Sequence, residues 1–307
     1  MVEDNNPMGH TLRFVVAAMQ EVPWLEMISR WQYLETAGVD GVMLADHFVN
    51  FSSPRTHWYE SWTLLSALAT QTKTIRIGLL SATPWRNPAF LARQAMTVDH
   101  ISNGRLDLGL GAGAPGIIDI SYAMTGTPDW LPKERVDRFR EVVQIVDQLL
   151  RYPETTCIGN FYQVKGTVMN PLPIQKPRPP IMIGGNGSRM LKIAAQYADT
   201  WNTFGGMDVK SLDEMITLTQ SRNILVDRYC AELGRDPNTL RRSVLIYTRE
   251  EYQKIYSIPG AFEEIVKRYQ EIGITEIIFF YPFAPALMPM FEQIVYEAIP
   301  RLRSARQ

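Results

Sequence analysis

Runs rich in aliphatic and β-branched residues alternate with stretches of helical periodicity along almost all of this 307-residue chain. The runs at 12–18, 39–45, 75–80, 105–111, 180–184, 200–204, 243–247 and 276–281 read as strands. Between them apolar residues recur at three- and four-residue spacing, as in Trp24, Met27, Ile28, Trp31 and Leu34, or Val136, Phe139, Val143, Val146 and Leu150. Repeated strand–helix units imply parallel strands with the helices outside. Eight units in this length predict an α/β fold, a (β/α)8 TIM barrel forming one domain over residues 1–307. Residues 151–180 break the rhythm and read as an insertion. There 155–158 and 161–164 flank Gly159-Asn160, a hairpin signal, and a proline-rich stretch from Pro171 to Pro180 follows.

A doubly wound open sheet is the competing architecture, because Gly111-x-Gly113-x-x-Gly116 matches the dinucleotide fingerprint. It falls at the fourth strand instead of the first, holds Pro115, and lacks the expected acid after the following strand. The barrel is therefore the better reading. Lysine plus arginine number 31 against 32 acidic residues, with no basic block, so nucleic acid is not an expected partner. The two cysteines, Cys157 and Cys230, lack CxxC spacing, which suits a reducing cytosol and excludes a thiolate metal site. No apolar run approaches the length of a membrane span, and residues 1–6 are polar and acidic rather than a signal peptide. The expectation is a cytoplasmic protein with neither a metal nor a membrane partner.

In a barrel of this kind functional groups lie at the carboxyl ends of strands. Those ends supply Met19, Gln20, Asp46, His47, Phe48, Ser81, Ala82, Thr83, Ala112, Gly113, Asn202 and Tyr281. Two glycine loops stand out, Gly109-Leu110-Gly111-Ala112-Gly113 and Gly184-Gly185-Asn186-Gly187-Ser188, each running into a helical segment. Bare backbone N–H groups at a helix start favour an anion, most often a phosphate. Glycines also end strands and allow close strand packing for backbone reasons alone, and that reading stays open for the first loop. His47, just past a strand and beside Asp46, is the titratable group best suited to exchange a proton near neutral pH, although a buried histidine satisfied by backbone is the ordinary case. Without a second carboxylate pair or a nucleophile beside a base, this set suits a planar redox cofactor better than hydrolysis.

The blocks Ala45-Asp46-His47-Phe48, Arg86-Asn87-Pro88-Ala89-Phe90-Leu91-Ala92-Arg93, Asp99-His100-Ile101-Ser102-Asn103-Gly104-Arg105 and Gly109-Leu110-Gly111-Ala112-Gly113 resemble the bacterial luciferase-like flavin and deazaflavin oxidoreductases. Pro179-Pro180-Ile181-Met182-Ile183-Gly184-Gly185, Tyr197-Ala198-Asp199-Thr200-Trp201-Asn202 and Gly234-Arg235-Asp236-Pro237 agree, so the resemblance spans nearly the whole chain. It is strongest to the branch that uses coenzyme F420. The resemblance implies hydride transfer between that deazaflavin and a small organic substrate, and commonly a homodimer. The alternative is an FMN-dependent two-component monooxygenase served by a partner flavin reductase. Carried over by position, Asp46 contacts the ring and His47 donates the proton or stabilises the reduced ring. Leu80-Ser81 would carry a non-proline cis peptide, and Thr83, Ala112, Gly113, Gly184, Gly185, Gly187 and Ser188 would complete the cofactor site. One departure concerns the glutamate that sugar-phosphate dehydrogenases of this branch use as base. Ala114 stands in its place here, which points instead to reduction of an activated double bond, imine or carbonyl. Asp119, the nearest acid in sequence, is the candidate to replace that base.

Overall fold

The computed structural model describes residues 10–205, 208–209 and 211–304, and the polar start read at 1–6 lies outside them. In chain order the first half holds β1 (Arg13–Ala17), α1 (Trp24–Thr36), β2 (Gly41–Ala45), α2 (Ser61–Gln71), β3 (Arg76–Ala82), α3 (Pro88–Ile101), β4 (Leu106–Gly111), α4 (Ser121–Thr125) and α5 (Pro132–Arg151). The middle holds β5 (Glu154–Ile158), β6 (Gln163–Val168), β7 (Ile181–Gly184), α6 (Ser188–Tyr197), β8 (Thr200–Thr203) and α7 (Leu212–Glu232). The rest holds β9 (Arg241–Leu245), α8 (Arg249–Ser257), α9 (Ala261–Glu271), β10 (Glu276–Phe280), α10 (Met288–Gln293) and α11 (Ile299–Ser304). The strands close in the order β1-β10-β9-β8-β7-β4-β3-β2, the expected eight-stranded barrel with its surrounding helices, while β5 and β6 form a separate hairpin. No helix among the described residues is long and apolar enough to cross a membrane.

The chain packs as two compact units. One comprises Met1–Ala18, Leu34–Val42 and Gly185–Gln307. In it β8, β9, β10 and β1 pair in parallel, with Phe14 beside Ile277 and Ile278 beside Leu245. Phe14, Phe262, Phe279 and Phe291 form a chain of ring contacts at 5.1–6.0 Å, all buried. Burying side chains of this size supplies most of the drive for such a core, about 25 cal/mol per Å² of apolar surface.

The other comprises Met19–Tyr33 and Met43–Gly184. There β3, β4 and β7 pair in parallel, and α5 buries Phe139, Val142, Val143, Val146, Leu149 and Leu150 along one stripe. A Cβ at Gly109 would lie 2.5 Å from the Leu79 carbonyl oxygen, so this glycine permits close approach of β3 to β4. That settles the open choice for Gly109 in favour of packing.

Several details depart from the sequence expectations. The bond Leu80–Ser81 is not cis: the cis bonds among the described residues are Asn170–Pro171 and Lys176–Pro177. The reason is that β3 runs unbroken through it, with Leu80 paired to Gly109, Ser81 to Leu110 and Ala82 to Gly111, and a ladder of this kind uses extended trans backbone. The hairpin forms where expected, but its loop is longer than Gly159-Asn160 and β6 starts at Gln163. Glu141 explains this, since its carboxylate accepts from the N–H groups of Asn160, Phe161 and Tyr162 at 2.9–3.1 Å. Sequence periodicity also passed over α8, whose start carries a full capping box between Thr248 and Glu251.

Candidate active site

Asp46 and His47 follow β2 directly, and the chain turns them in different directions. Asp46 is buried, and its carboxylate accepts from Ser61 Oγ at 2.6 Å, Ser81 Oγ at 2.9 Å, Arg86 Nε at 3.1 Å and Arg86 Nη2 at 2.7 Å. Four donors on one carboxylate make it the hub that ties β2, β3, α2 and the Arg86 segment together. Arg86 also reaches Glu60, which caps α2 by accepting from Trp62 N and Thr63 N. Burial would lower the pKa of the Arg86 guanidinium, but its bonds to Asp46 and Glu60 outweigh burial and hold it above the ordinary value. The Asp46 side chain and the Ser81 hydroxyl are thus brought together, engaged with each other.

His47 keeps a quarter of its side chain exposed. Its Nδ1 lies 2.6 Å from Asp119 Oδ2, and the other carboxylate oxygen of Asp119 accepts from Ser121 N at 2.9 Å. The His47 carbonyl accepts from Trp58 Nε1 at 2.7 Å, and the imidazole meets the Phe51 ring edge-on at 5.2 Å. Burial would raise Asp119, which is 1% exposed, yet the hydrogen bonds from His47 and Ser121 dominate and hold it below the usual carboxylate value. Asp119 is therefore committed to the imidazole. The sequence showed it only as an acid within reach of the rim.

The first glycine loop is rigid for steric reasons. Gly113 has φ +78°, and a Cβ there would fall 2.2 Å from the Tyr122 hydroxyl and 2.9 Å from Pro84. Tyr122 is buried against Trp85, ring centroids 4.6 Å apart, and burial pushes its phenol pKa up to about 12. Thr83 Oγ1 donates to the Gly111 carbonyl at 3.1 Å, holding the end of β3 to the end of β4. Leu80, Ala112 and Gly113 are half-buried.

The second loop differs in kind. A Cβ added at Gly184 or Gly187 would meet nothing within 4 Å, although one at Gly185 would strike Met190. Gly187 is the N-cap of α6 and supplies no side-chain acceptor to the first turn of that helix. The Ser188 hydroxyl lies 2.5 Å from the Tyr229 hydroxyl, and Trp201 Nε1 donates to the Gly185 carbonyl at 2.8 Å. Asn186 accepts from Thr203 Oγ1, which accepts in turn from Arg222 Nη1 at 3.0 Å. This cation beside the loop carried no sequence signal, because Arg222 lies mid-helix in α7 among ordinary polar positions.

Of the other strand-end residues, Gln20 donates to the Ala45 carbonyl and Asn202 to Ser243 Oγ, and both are buried supports.

Residues 8–247 match the family model described as luciferase-like monooxygenase. The chain belongs to the luciferase-like family. It is an oxidoreductase of that family, with a deazaflavin or flavin cofactor supported by its relatives. It is 30% identical over 169 residues to an F420-dependent glucose-6-phosphate dehydrogenase of Amycolatopsis mediterranei, covering 54% of this chain and 49% of that protein. It is 24% identical over 350 aligned residues to the 5,10-methylenetetrahydromethanopterin reductase of Archaeoglobus fulgidus, covering 95% of this chain and all of that one. The chain thus spans about half the length of the dehydrogenase but the whole of the reductase. Its fold matches an F420-dependent secondary alcohol dehydrogenase, solved with an F420-acetone adduct, with a TM-score of 0.77, 16% identity and coverage of 94% and 100%.

Proposed function

We propose that this chain is an F420-dependent oxidoreductase that moves a hydride between the deazaflavin and a small organic substrate, with His47 managing the accompanying proton. The observation that carries this reading is His47 itself: a partly exposed imidazole just past a barrel strand, its Nδ1 held at 2.6 Å by Asp119. The F420-dependent glucose-6-phosphate dehydrogenases among its relatives support the choice of cofactor.

The residues present fit a phosphorylated cofactor. Open space at Gly184 and at Gly187, the N-cap of α6, suits a phosphate at a helix start. In this reading Gly185 and Ser188 would also contact the phosphate, and Leu80, Ser81, Thr83, Ala112 and Gly113 would contact the ring. Asp46 holds Ser81 and Arg86 in place. When bound, the deazaflavin supplies the two-electron donor or acceptor.

Ala114 offers no proton acceptor and Asp119 is bonded to His47, so neither position supplies the separate carboxylate base of the sugar-phosphate dehydrogenases. Reduction of an activated double bond, imine or carbonyl is the activity proposed. A cytoplasmic homodimer completes the proposal, with light scattering as its check.

The family model is described by monooxygenase chemistry, which favours one rival: an FMN enzyme supplied by a reductase. Titrating the full chain with F420 and with FMN separates the two. F420 should bind and turn over enones, imines or carbonyls when reduced. Tight FMN binding with no F420 affinity would overturn the proposal. Replacing His47 by Ala should lower turnover far more than cofactor affinity.

A further inference from the structure

Asp119 and His47 stand 72 residues apart in sequence, and the geometry around them is directional. The two Asp119 oxygens face different groups: Oδ1 accepts from Ser121 N at 2.9 Å, and Oδ2 meets His47 Nδ1 at 2.6 Å. The carboxylate is itself fixed. Asp119 N donates to the Pro115 carbonyl at 3.0 Å, and the Asp119 carbonyl accepts from Tyr122 N at 3.3 Å, a compact turn entering α4. From the other side Trp58 and Phe51 hold the histidine. Among the described residues His47 Nε2 has no hydrogen-bond partner.

We infer that Asp119 is the positioning residue of His47: it keeps a proton on Nδ1, so that Nε2 is the ring atom that exchanges a proton with substrate. This rests on the hydride-transfer reading above and extends it. An ionised carboxylate only accepts, so the atom facing it must donate, which fixes the tautomer of the neutral ring. In the reducing direction Nε2–H gives its proton to the substrate heteroatom as hydride reaches the neighbouring carbon. The N–H bond at Nε2 breaks, an O–H or N–H bond forms on the product, and the imidazolium becomes imidazole still bearing Nδ1–H. The oxidising direction reverses each change. It follows that Asp119 does not replace the base missing at Ala114.

Asp119→Asn tests this sharply. The amide oxygen would keep the Ser121 N–H, because the flipped amide would set donor against donor. The amide nitrogen would then face Nδ1 and drive the imidazole proton to Nε2. The experiment records nitrogen-15 spectra of the histidine-labelled, cofactor-free full chain at alkaline pH, with His47 assigned from a His47→Asn sample. The expected result is Nδ1–H in the wild type and Nε2–H in Asp119→Asn. With reduced F420 and substrate, kcat should fall on the order of 10²-fold with KM little changed, and Asp119→Glu should restore part of it.

Nε2–H in the wild type, or one tautomer in both proteins, would overturn the inference, as would an unchanged kcat in a folded Asp119→Ala. The wild-type spectrum needs no variant to fold. It also needs no cofactor: a chain that binds no F420 yet shows the expected tautomers would sink the cofactor assignment and leave this one standing.

Discussion

The guanidinium of Arg86 meets the carboxylate of Asp46 side-on, Nε to Oδ2 at 3.1 Å and Nη2 to Oδ1 at 2.7 Å. Two parallel bonds to a carboxylate that is 4% exposed fix both groups in one plane. The pair therefore sets where the residue after Asp46, His47, begins.

Breaking this pair should be costly. Among the described residues Arg86→Ala leaves Asp46 with the hydroxyls of Ser61 and Ser81, and removing one partner of a buried ion pair typically costs about 3–5 kcal/mol. Urea unfolding of the variant should show a loss of that order. A change under 1 kcal/mol would mean that Ser61 and Ser81 suffice.

The two glycine loops should respond in opposite ways to a single methyl group. Gly113→Ala forces a left-handed conformation and a collision with Tyr122 and Pro84, which should cost about 2 kcal/mol or more. Gly184→Ala enters open space and should leave stability within about 1 kcal/mol, while weakening F420 binding at least tenfold. Denaturation curves read the first effect and cofactor titration the second. Unaltered affinity in Gly184→Ala would remove the phosphate from that loop.

Glu141 should act on the hairpin alone. Its carboxylate receives three backbone N–H groups, and hydrogen bonds to a charged group contribute about 1.5–3 kcal/mol each before relaxation. In Glu141→Gln the amide nitrogen cannot accept, so amide exchange at 160–162 should accelerate while β3, β4 and β7 keep their protection. Mass-spectrometric exchange checks this. Equal acceleration everywhere would instead mark Glu141 as a general stability determinant.

Asp119 should shape the acid limb of stability. Its carboxyl is held below the ordinary value in the folded chain, because the bonds from His47 and Ser121 outweigh burial. Such a group adds stability above its unfolded pKa, near 4, and loses it as the pH falls through the folded value. The Tm advantage of wild type over Asp119→Ala should therefore narrow below about pH 4. Thermal melts across that range check the sign, and an advantage that grows with acid would contradict it.

Much of this was readable in the chain. The barrel strands fell within a few residues of expectation because their apolar alternation is local. The hairpin was visible from Gly159-Asn160, but its four-residue loop was not, because the acceptor that shapes it, Glu141, lies on α5. The helix α8 has its sequence signal in the capping box of Thr248 and Glu251 rather than in apolar periodicity. A cis bond at Leu80–Ser81 was expected from resemblance, and the uninterrupted β3–β4 ladder decided otherwise.

By itself the sequence determined the order of strands and helices, the closed parallel architecture, the family, and the placing of His47 and the glycine loops at strand ends. These follow from repeats of two and about 3.6 residues and from short contiguous motifs, which need no knowledge of distant chain. Only the tertiary structure decided which side chains meet: Asp119 with His47, Arg86 with Asp46, Arg222 with Thr203. Each pair joins a loop or helix position to another far along the chain. A hydrogen bond requires donor and acceptor within about 3 Å and aligned, and loop paths that carry no period are what set that distance.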